Sequence, residues 1–198
     1  MGARELEKLA RQFESSGDKD IAQGISAWAQ VARARGRETF SLPEGVIRLP
    51  DLTIGGVKPK ELSKLLTANG HRVSDYAEDL MQKMPTLKNQ QTISLIRTTV
   101  SAMGITGTPT TDQIYEKANE LGWDLCPTEV GPHLRLAYKD QPVNEWLYVG
   151  MKQIAGRRGD PAVFSVGRRD VGSWLDGAWA GPAGQWRPAL QLVFSLRK

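Results

Sequence analysis

The hydrophobic periodicity of this chain changes along its length, from a helical spacing before Pro142 to strand-like runs after it. In the first part apolar residues recur three and four positions apart, as in the stripe of Ile21, Ile25 and Trp28. After Pro142, four short runs are rich in β-branched and aromatic residues: EWLYVGMKQI, AVFSV, SWLDGAW and LQLVFSL. This order predicts an α+β fold, with helical N-terminal and central parts followed by a small C-terminal antiparallel sheet, a meander.

A stretch rich in proline and glycine, SLPEGVIRLPDLTIGGVK, divides the chain. No helical period survives there, so residues 41–58 are interpreted as an extended linker. Residues 1–40 are predicted to form a helical extension. Residues 59–198 are predicted to form one α+β domain, with helices over 59–140 and the antiparallel sheet over 141–198.

Several helices of the central part have recognisable starts. Pro59 suits the first position of a helix, Ser74 suits an N-cap, and Thr110 with Gln113 matches a capping box. A further helix is predicted over 90–103, because its apolar residues recur at helical spacing.

The segment 126–139 fits two structures. Val130 and Leu134 fit a helix, whereas Leu134 and Leu136 alternate as in a strand. A Gly-Pro pair inside the segment argues against one unbroken helix through it. The sequence leaves both structures open.

Composition excludes several classes of protein. The chain of 198 residues carries 26 Lys+Arg and 22 Asp+Glu, a formal charge of +4, and 40% of its residues are hydrophobic. These values are ordinary for a soluble domain and exclude a disordered tail or a collagen-like repeat. The single cysteine, Cys126, excludes an intrachain disulfide. The charged, amphipathic start of the sequence predicts no secretory signal, and no apolar run approaches the roughly 18 residues of a membrane span. A cytoplasmic protein that does not bind membranes is therefore predicted.

Tryptophan is concentrated late in the chain, and the net positive charge is located in the same region. Trp and Arg dominate the hot spots of binding interfaces. Trp174 and Trp179 lie five positions apart in one predicted strand, so they point to opposite faces of the sheet and one of them must leave the core face. The leading hypothesis is a non-enzymatic protein that recognises a protein or peptide through an aromatic and arginine surface of the sheet; the alternative is that these rings fill a thin core. The candidate binding residues are Trp174, Trp179, Trp186, Arg157, Arg158, Arg168 and Arg169.

Two other functions stay open. The predicted helices 90–103 and 111–121, the segment 126–139 and the strands after it follow the order of a winged-helix nucleic-acid-binding domain. The residues that would meet nucleic acid are Thr128, His133, Arg135 and Lys139. A cysteine enzyme would pair Cys126 with His133 as its base. No common nucleotide-binding or metal-binding motif occurs, so no cofactor and no metal is predicted.

Four stretches carry a resemblance: ELSKLLTANGHRVSDYAEDLM, IYEKANELGWDLCPTEVGPHLRL, YKDQPVNEWLYVGMKQI and the ending LVFSLRK. With them, the chain from about position 56 to its end resembles a set of small, uncharacterised bacterial proteins. The resemblance implies a bacterial origin and a single unit of helices and sheet over residues 56–198. It implies no activity, cofactor or catalytic residue.

Overall fold

The structure, a computed structural model, describes residues 3–37 and 42–197, and it describes the surroundings of the side chains at 5–30 and 42–197. The chain divides into two compact units, Met1–Leu42 and Pro43–Lys198. The predicted extension over 1–40 and linker over 41–58 meet at residues 38–41, which lie outside the described residues.

Six α-helices occur in the described residues. They are α1 (Ala3–Ser16), α2 (Lys19–Arg37), α3 (Pro59–Ala68), α4 (Asp75–Lys83), α5 (Thr111–Glu120) and α6 (Val130–Ala137). The strands are β1 (Ile47–Arg48), β2 (Leu52–Ile54), β3 (Arg72–Val73), β4 (Gln91–Ile93), β5 (Leu95–Thr99), β6 (Trp123–Asp124), β7 (Trp146–Val149), β8 (Ile154–Ala155), β9 (Pro161–Arg169), β10 (Gly172–Trp179) and β11 (Gln191–Leu196).

The first unit is a helical hairpin of α1 and α2. Gly17 joins the two helices with a φ of 93°, a left-handed conformation that costs glycine little. Small side chains, Ala10, Ala22 and Ala29, are buried. Trp28 is 67% exposed, so the apolar stripe of α2 is only partly covered.

The second unit is built on a mixed sheet. Its strand order is β1-β5-β11-β7-β9-β10-β3, with β6 paired to β11 and β8 paired to β9. The pairs β7–β11 and β3–β10 are parallel, and the other pairs are antiparallel. A separate two-stranded sheet joins β2 to β4.

The prediction of a small C-terminal antiparallel meander is wrong. The main sheet has nine strands in the described residues and draws them from both halves of the second unit. The last strand does not pair with the strand before it; β11 lies between β5 and β7. Such crossovers depend on contacts between distant segments, which the order of strands along the chain does not reveal.

The predicted helix over 90–103 is also wrong, because this segment forms β4, β5 and a short 3₁₀ turn. Leu95 and Ile96 are both fully buried although they are adjacent. A strand that is covered on both faces buries successive residues instead of alternate ones, so its apolar positions can also fit a helical spacing. The threonines at 98 and 99 favour the strand, because β-branched side chains lose rotamer freedom in a helix.

Other local predictions are confirmed. Pro59 opens α3, the Ser74 hydroxyl accepts a hydrogen bond from the Ala77 N–H, and Thr110 and Gln113 form a complete capping box on α5. The open segment 126–139 contains α6. Its Gly-Pro pair lies in the first turn of that helix, where a missing N–H is harmless.

The two faces of the sheet differ in what covers them. Alternation along the paired strands places Phe164 and Leu175 on one face, which we call the helix-packed face because α4 and α6 lie on it. A Cβ added at Gly131 of α6 would lie 2.5 Å from Phe164. The opposite face, the tryptophan face, carries Trp146 and Trp174 on either side of Gly167.

Glu129 fixes the loop before β4 onto the start of α6. Its side chain accepts a hydrogen bond from the Leu87 N–H (2.8 Å) through Oε1, while Oε2 has no partner among the described residues. Glu129 is only 1% exposed. Burial raises the pKa of its carboxyl group.

Glu129→Gln is expected to stabilise the protein at neutral pH. Because the pKa is raised on folding, stability falls as pH rises from the unfolded value of about 4.3 through the higher folded value. Glutamine keeps the acceptor for Leu87 and removes the charge, so we expect a gain of about 1 kcal/mol at pH 7.5 and no difference near pH 4. Urea unfolding at both pH values measures this. The exposed Glu116→Gln is the control, expected within about 0.5 kcal/mol of the parent; a less stable E129Q at pH 7.5 would contradict the account.

Candidate binding cleft beside Trp179

A cleft of about 290 Å³ opens on the helix-packed face at the end of β10. Three elements form it: the last residues of β10, the turn between β8 and β9, and the first turns of α4. Its lining includes Tyr76, Leu80, Arg157, Arg158, Asp160 and Trp179. We call it the Trp179 cleft.

Trp179 is 61% exposed at the C-terminal end of β10. It lies five positions after Trp174, so the two side chains leave opposite faces of the sheet. The Trp179 ring lies against the turn that follows the strand; a Cβ added at Gly181 would come within 2.6 Å of the ring, and one at Gly184 within 2.8 Å. Glycine at these two positions therefore lets the backbone support an exposed tryptophan.

Tyr76 forms the opposite wall and is 63% exposed. Its helix approaches the sheet closely, since a Cβ added at Gly177 would lie 3.1 Å from the Tyr76 Cβ. Two hydrogen bonds of Ser74 fix the start of this helix: its N–H donates to the Leu175 carbonyl (3.1 Å), and its hydroxyl donates to Asp176. The wall that carries Tyr76 is thus tied to β10.

The third wall is the turn that contains Arg157 and Arg158. The Gly156 N–H donates to the Asp160 carbonyl (2.8 Å), and Gly159 adopts a φ of 81°. Arg157 lies 3.8 Å from Asp75, but both side chains are more than half exposed, so this ion pair contributes little. Arg158 has no hydrogen-bond or ion-pair partner among the described residues and remains available to a ligand.

The second arginine pair lies elsewhere. Arg168 and Arg169 are the last two residues of the nine-residue β9. About 25 Å of extended chain separates them from its first residue, which follows the turn of Arg157 and Arg158. The Arg168 guanidinium donates to the Gln141 carbonyl (2.9 Å). The structure therefore does not bring the two pairs together.

Arg169 and Trp174 take part in a stack on the tryptophan face. The Arg169 guanidinium carbon lies 5.2 Å from the centre of the Trp146 ring and 5.7 Å from that of Trp174. Arg72 lies 5.4 Å from the centre of the Trp174 ring. Such cation–π contacts contribute roughly 0.5–1 kcal/mol each at exposed sites. Trp174 is half-buried here and does not share a surface with Trp179.

Trp186 lies in the core, 6% exposed. Its indole N–H donates to the Thr111 hydroxyl (2.8 Å), and its ring meets the edge of Tyr148 at a centroid distance of 5.2 Å. These contacts fasten the long connection before β11 to the start of α5. Of the seven candidate residues, the structure therefore brings together Trp179, Arg157 and Arg158.

The residues of the nucleic-acid alternative do not form a surface. Arg135 is fully buried, and its guanidinium donates to Gln141 Oε1 and to the carbonyls of Tyr138 and Gly167. Burial lowers its pKa to about 10. Thr128 is buried as well and donates to the Pro85 carbonyl (3.2 Å).

His133 is half-buried and Lys139 is exposed, so neither extends the buried Arg135 into a basic patch. Burial lowers the pKa of His133, which favours its neutral form. The helix that carries Arg135 packs against α3, β2 and β9. The side of α6 that is not fully buried carries His133, Leu136 and Ala137, while Arg135 points into the interior.

Cys126 lies in the core with 3% exposure. Its thiol donates to the Val193 carbonyl at 3.5 Å. Burial raises the pKa of this thiol, whereas a nucleophilic cysteine needs a lowered pKa and access to solvent. Both observations oppose a catalytic role for Cys126.

Two residues of the cleft, Tyr76 and Leu80, are absent from the sequence-based candidates. The apolar stripe of α4 is complete without Tyr76, because Ala77, Leu80, Met81 and Met84 already supply the helical spacing and are buried. An aromatic residue just outside a complete stripe is a signal for an exposed position. The sequence held that signal, but not the closeness of α4 to the end of β10.

In the residues that the structure describes, no group of three or more His, Cys, Asp or Glu side chains is arranged to hold a metal ion. No helix of the described residues has the length and apolar character needed to cross a membrane. Comparisons with protein-family models, curated proteins and solved structures found no match to this chain.

Proposed function

We propose that this protein binds a polypeptide segment of another protein in the Trp179 cleft. The observation that carries the proposal is the pairing of two large exposed aromatic side chains, Trp179 at 61% and Tyr76 at 63%, across one cleft. Exposed aromatic residues grouped in a concave site are typical of interaction surfaces. Scattered exposed residues would need no such explanation.

The chemistry of the walls favours an apolar side chain flanked by a carboxylate. Trp179 and Tyr76 supply the apolar surface. Arg158 supplies a guanidinium that can bind a carboxylate with two parallel hydrogen bonds. Aromatic residues and arginine are the side chains most enriched in binding hot spots.

The size of the cleft supports a peptide ligand. Its volume of about 290 Å³ lies at the lower limit of the roughly 300–1,000 Å³ of drug-sized ligand sites. One or two side chains of a peptide fill such a space. The ligand class proposed here is therefore a short segment with one apolar anchor and an adjacent acidic residue.

The test is a selection of random twelve-residue peptides, displayed on phage, against the full chain. Selected peptides are then synthesised, and their dissociation constants are measured by fluorescence anisotropy. We expect Trp179→Ala to weaken binding by roughly 30-fold, the effect of a hot spot worth about 2 kcal/mol.

Trp28→Ala is the matched control, because Trp28 is similarly exposed, at 67%, but lies in the other unit. It is expected to leave the dissociation constant unchanged. The proposal would be refuted if the selected peptides bound the Trp179→Ala and Trp28→Ala proteins as tightly as they bind the parent protein. A selection that yields no binding peptide would also refute it.

A further inference from the structure

The edge of the main sheet next to the Trp179 cleft is only partly covered. β3 pairs with β10 in parallel, but only at Trp174 and Leu175. The chain then leaves the sheet and enters α4 at Asp75. Beyond Leu175, the outer side of β10 has no strand neighbour among the described residues as far as Trp179.

The hydrogen bonds around β10 show which main-chain groups face this open edge. The Leu175 carbonyl points outward, since it accepts from the Ser74 N–H (3.1 Å). The Ala180 N–H points inward, toward β9, since it donates to the carbonyl of Pro161, the first residue of β9 (2.9 Å). In an antiparallel pair successive residues alternate between the two sides, so the N–H and C=O groups of Gly177 and Trp179 face outward.

One of these four groups is already satisfied. The Gly177 N–H donates to its neighbour, Asp176 Oδ1, at 2.8 Å. The Gly177 carbonyl and both main-chain groups of Trp179 have no hydrogen-bond partner among the described residues. One donor and two acceptors therefore lie in a line along the edge, in the spacing of an extended backbone.

The open edge and the cleft share residues. Gly177, Ala178 and Trp179 line the Trp179 cleft as well as forming the edge. A chain laid along the edge would alternate its side chains between the two faces of the sheet. The side chains on the helix-packed face would enter the cleft between Tyr76 and Trp179.

We propose that the ligand of the cleft binds as an added β-strand, paired with β10 at Gly177–Trp179, and this inference rests on the peptide-binding function proposed above. The fitting occupant is a flexible extended segment of another protein. β3 closes the edge at one end, and β10 itself ends at Trp179, so the open edge suits a few residues and not the long edge strand of a second folded sheet. Main-chain hydrogen bonds would hold the segment, and the cleft would select its side chain.

The experiment uses the full chain and a synthetic peptide obtained from the phage selection. First, each peptide bond is N-methylated in turn. We expect N-methylation to weaken the affinity tenfold or more at alternate residues of the peptide, where the N–H pairs with β10. At the residues between them we expect small effects on the affinity.

Second, amide hydrogen exchange of the ¹⁵N-labelled protein is measured with and without the peptide. We expect the peptide to slow exchange of the Trp179 N–H at least tenfold. The Ala178 N–H, which faces β9, is the internal control and is expected to change little.

The outcomes separate this inference from the proposed function. Suppose that the affinity of a peptide depends on Trp179, but that N-methylation gives no alternating pattern and the peptide does not protect the Trp179 N–H. This result overturns strand addition and leaves the peptide-binding function standing. Failure to obtain any Trp179-dependent peptide overturns both. Protection of the Trp179 N–H that rises with protein concentration in the absence of peptide would assign the edge to a second copy of the chain and overturn the inference.

Discussion

Arg135→Met is expected to destabilise the unit Pro43–Lys198 by roughly 3 kcal/mol or more. The Arg135 guanidinium is fully buried and satisfies three carbonyl acceptors, on Gln141, Tyr138 and Gly167. Methionine fills a similar volume but donates nothing. Each buried acceptor left without a donor costs about 1–3 kcal/mol, so the three losses together set the size of the effect.

Urea unfolding followed by far-ultraviolet circular dichroism measures this difference, with an unchanged m value showing that the folded state is intact. Lys139→Met is the matched control, because Lys139 is exposed just beyond the same helix. It is expected to stay within about 0.5 kcal/mol of the parent. An R135M protein as stable as K139M would mean that Arg135 is not an internal donor, and the nucleic-acid alternative would regain its central residue.

Arg135 shows why single residues of a site are hard to assign from sequence. A basic residue near Lys139 and His133 suggests a surface patch, because arginine is rarely buried without partners. Its partners here are main-chain carbonyls and the side chain of Gln141, none of which has a recognisable sequence signal. The same applies to Trp186, whose buried indole N–H donates to Thr111, 75 positions earlier in the chain.

Local features were predicted well because their causes are local. The N-cap at Ser74 and the capping box at Thr110 depend on residues within one helical turn. The main sheet depends instead on pairings such as Leu192 with Thr98, which lie far apart in sequence. Those pairings, and the parallel addition of β3 to β10, could not be inferred from the order of the elements.

The candidate site was predicted in part. Their residue types point to Trp179, Arg157 and Arg158 as binding residues, and the five-residue spacing from Trp174 requires one tryptophan to leave the core face. The other wall of the cleft, Tyr76, belongs to a helix that precedes them by about 80 to 100 positions in the chain. The hydrogen bonds of Ser74 to β10 and the close approach at Gly177 place that helix beside Trp179.

Gly131→Ala is expected to destabilise the unit Pro43–Lys198 by about 1–3 kcal/mol, the usual cost of overpacking a core. Gly131 lies in the first turn of α6, directly before Pro132, where an added Cβ also meets the proline ring. This local clash and the packing against Phe164 act in the same direction. The added Cβ would lie 2.5 Å from the Phe164 Cβ and 2.6 Å from its ring. Neither α6 nor β9 can accept it without a shift of backbone, because Phe164 is fully buried.

Gly24→Ala provides the opposite case, since a Cβ added at Gly24 in α2 meets no atom within 4 Å. We expect it to raise helix stability by up to about 1 kcal/mol. Thermal unfolding, with circular dichroism and tryptophan fluorescence recorded together, distinguishes the two variants. If G131A proved as stable as the parent, α6 would not be seated on β9 as closely as the structure places it, and the burial of Arg135 on the same helix would lose its geometric basis.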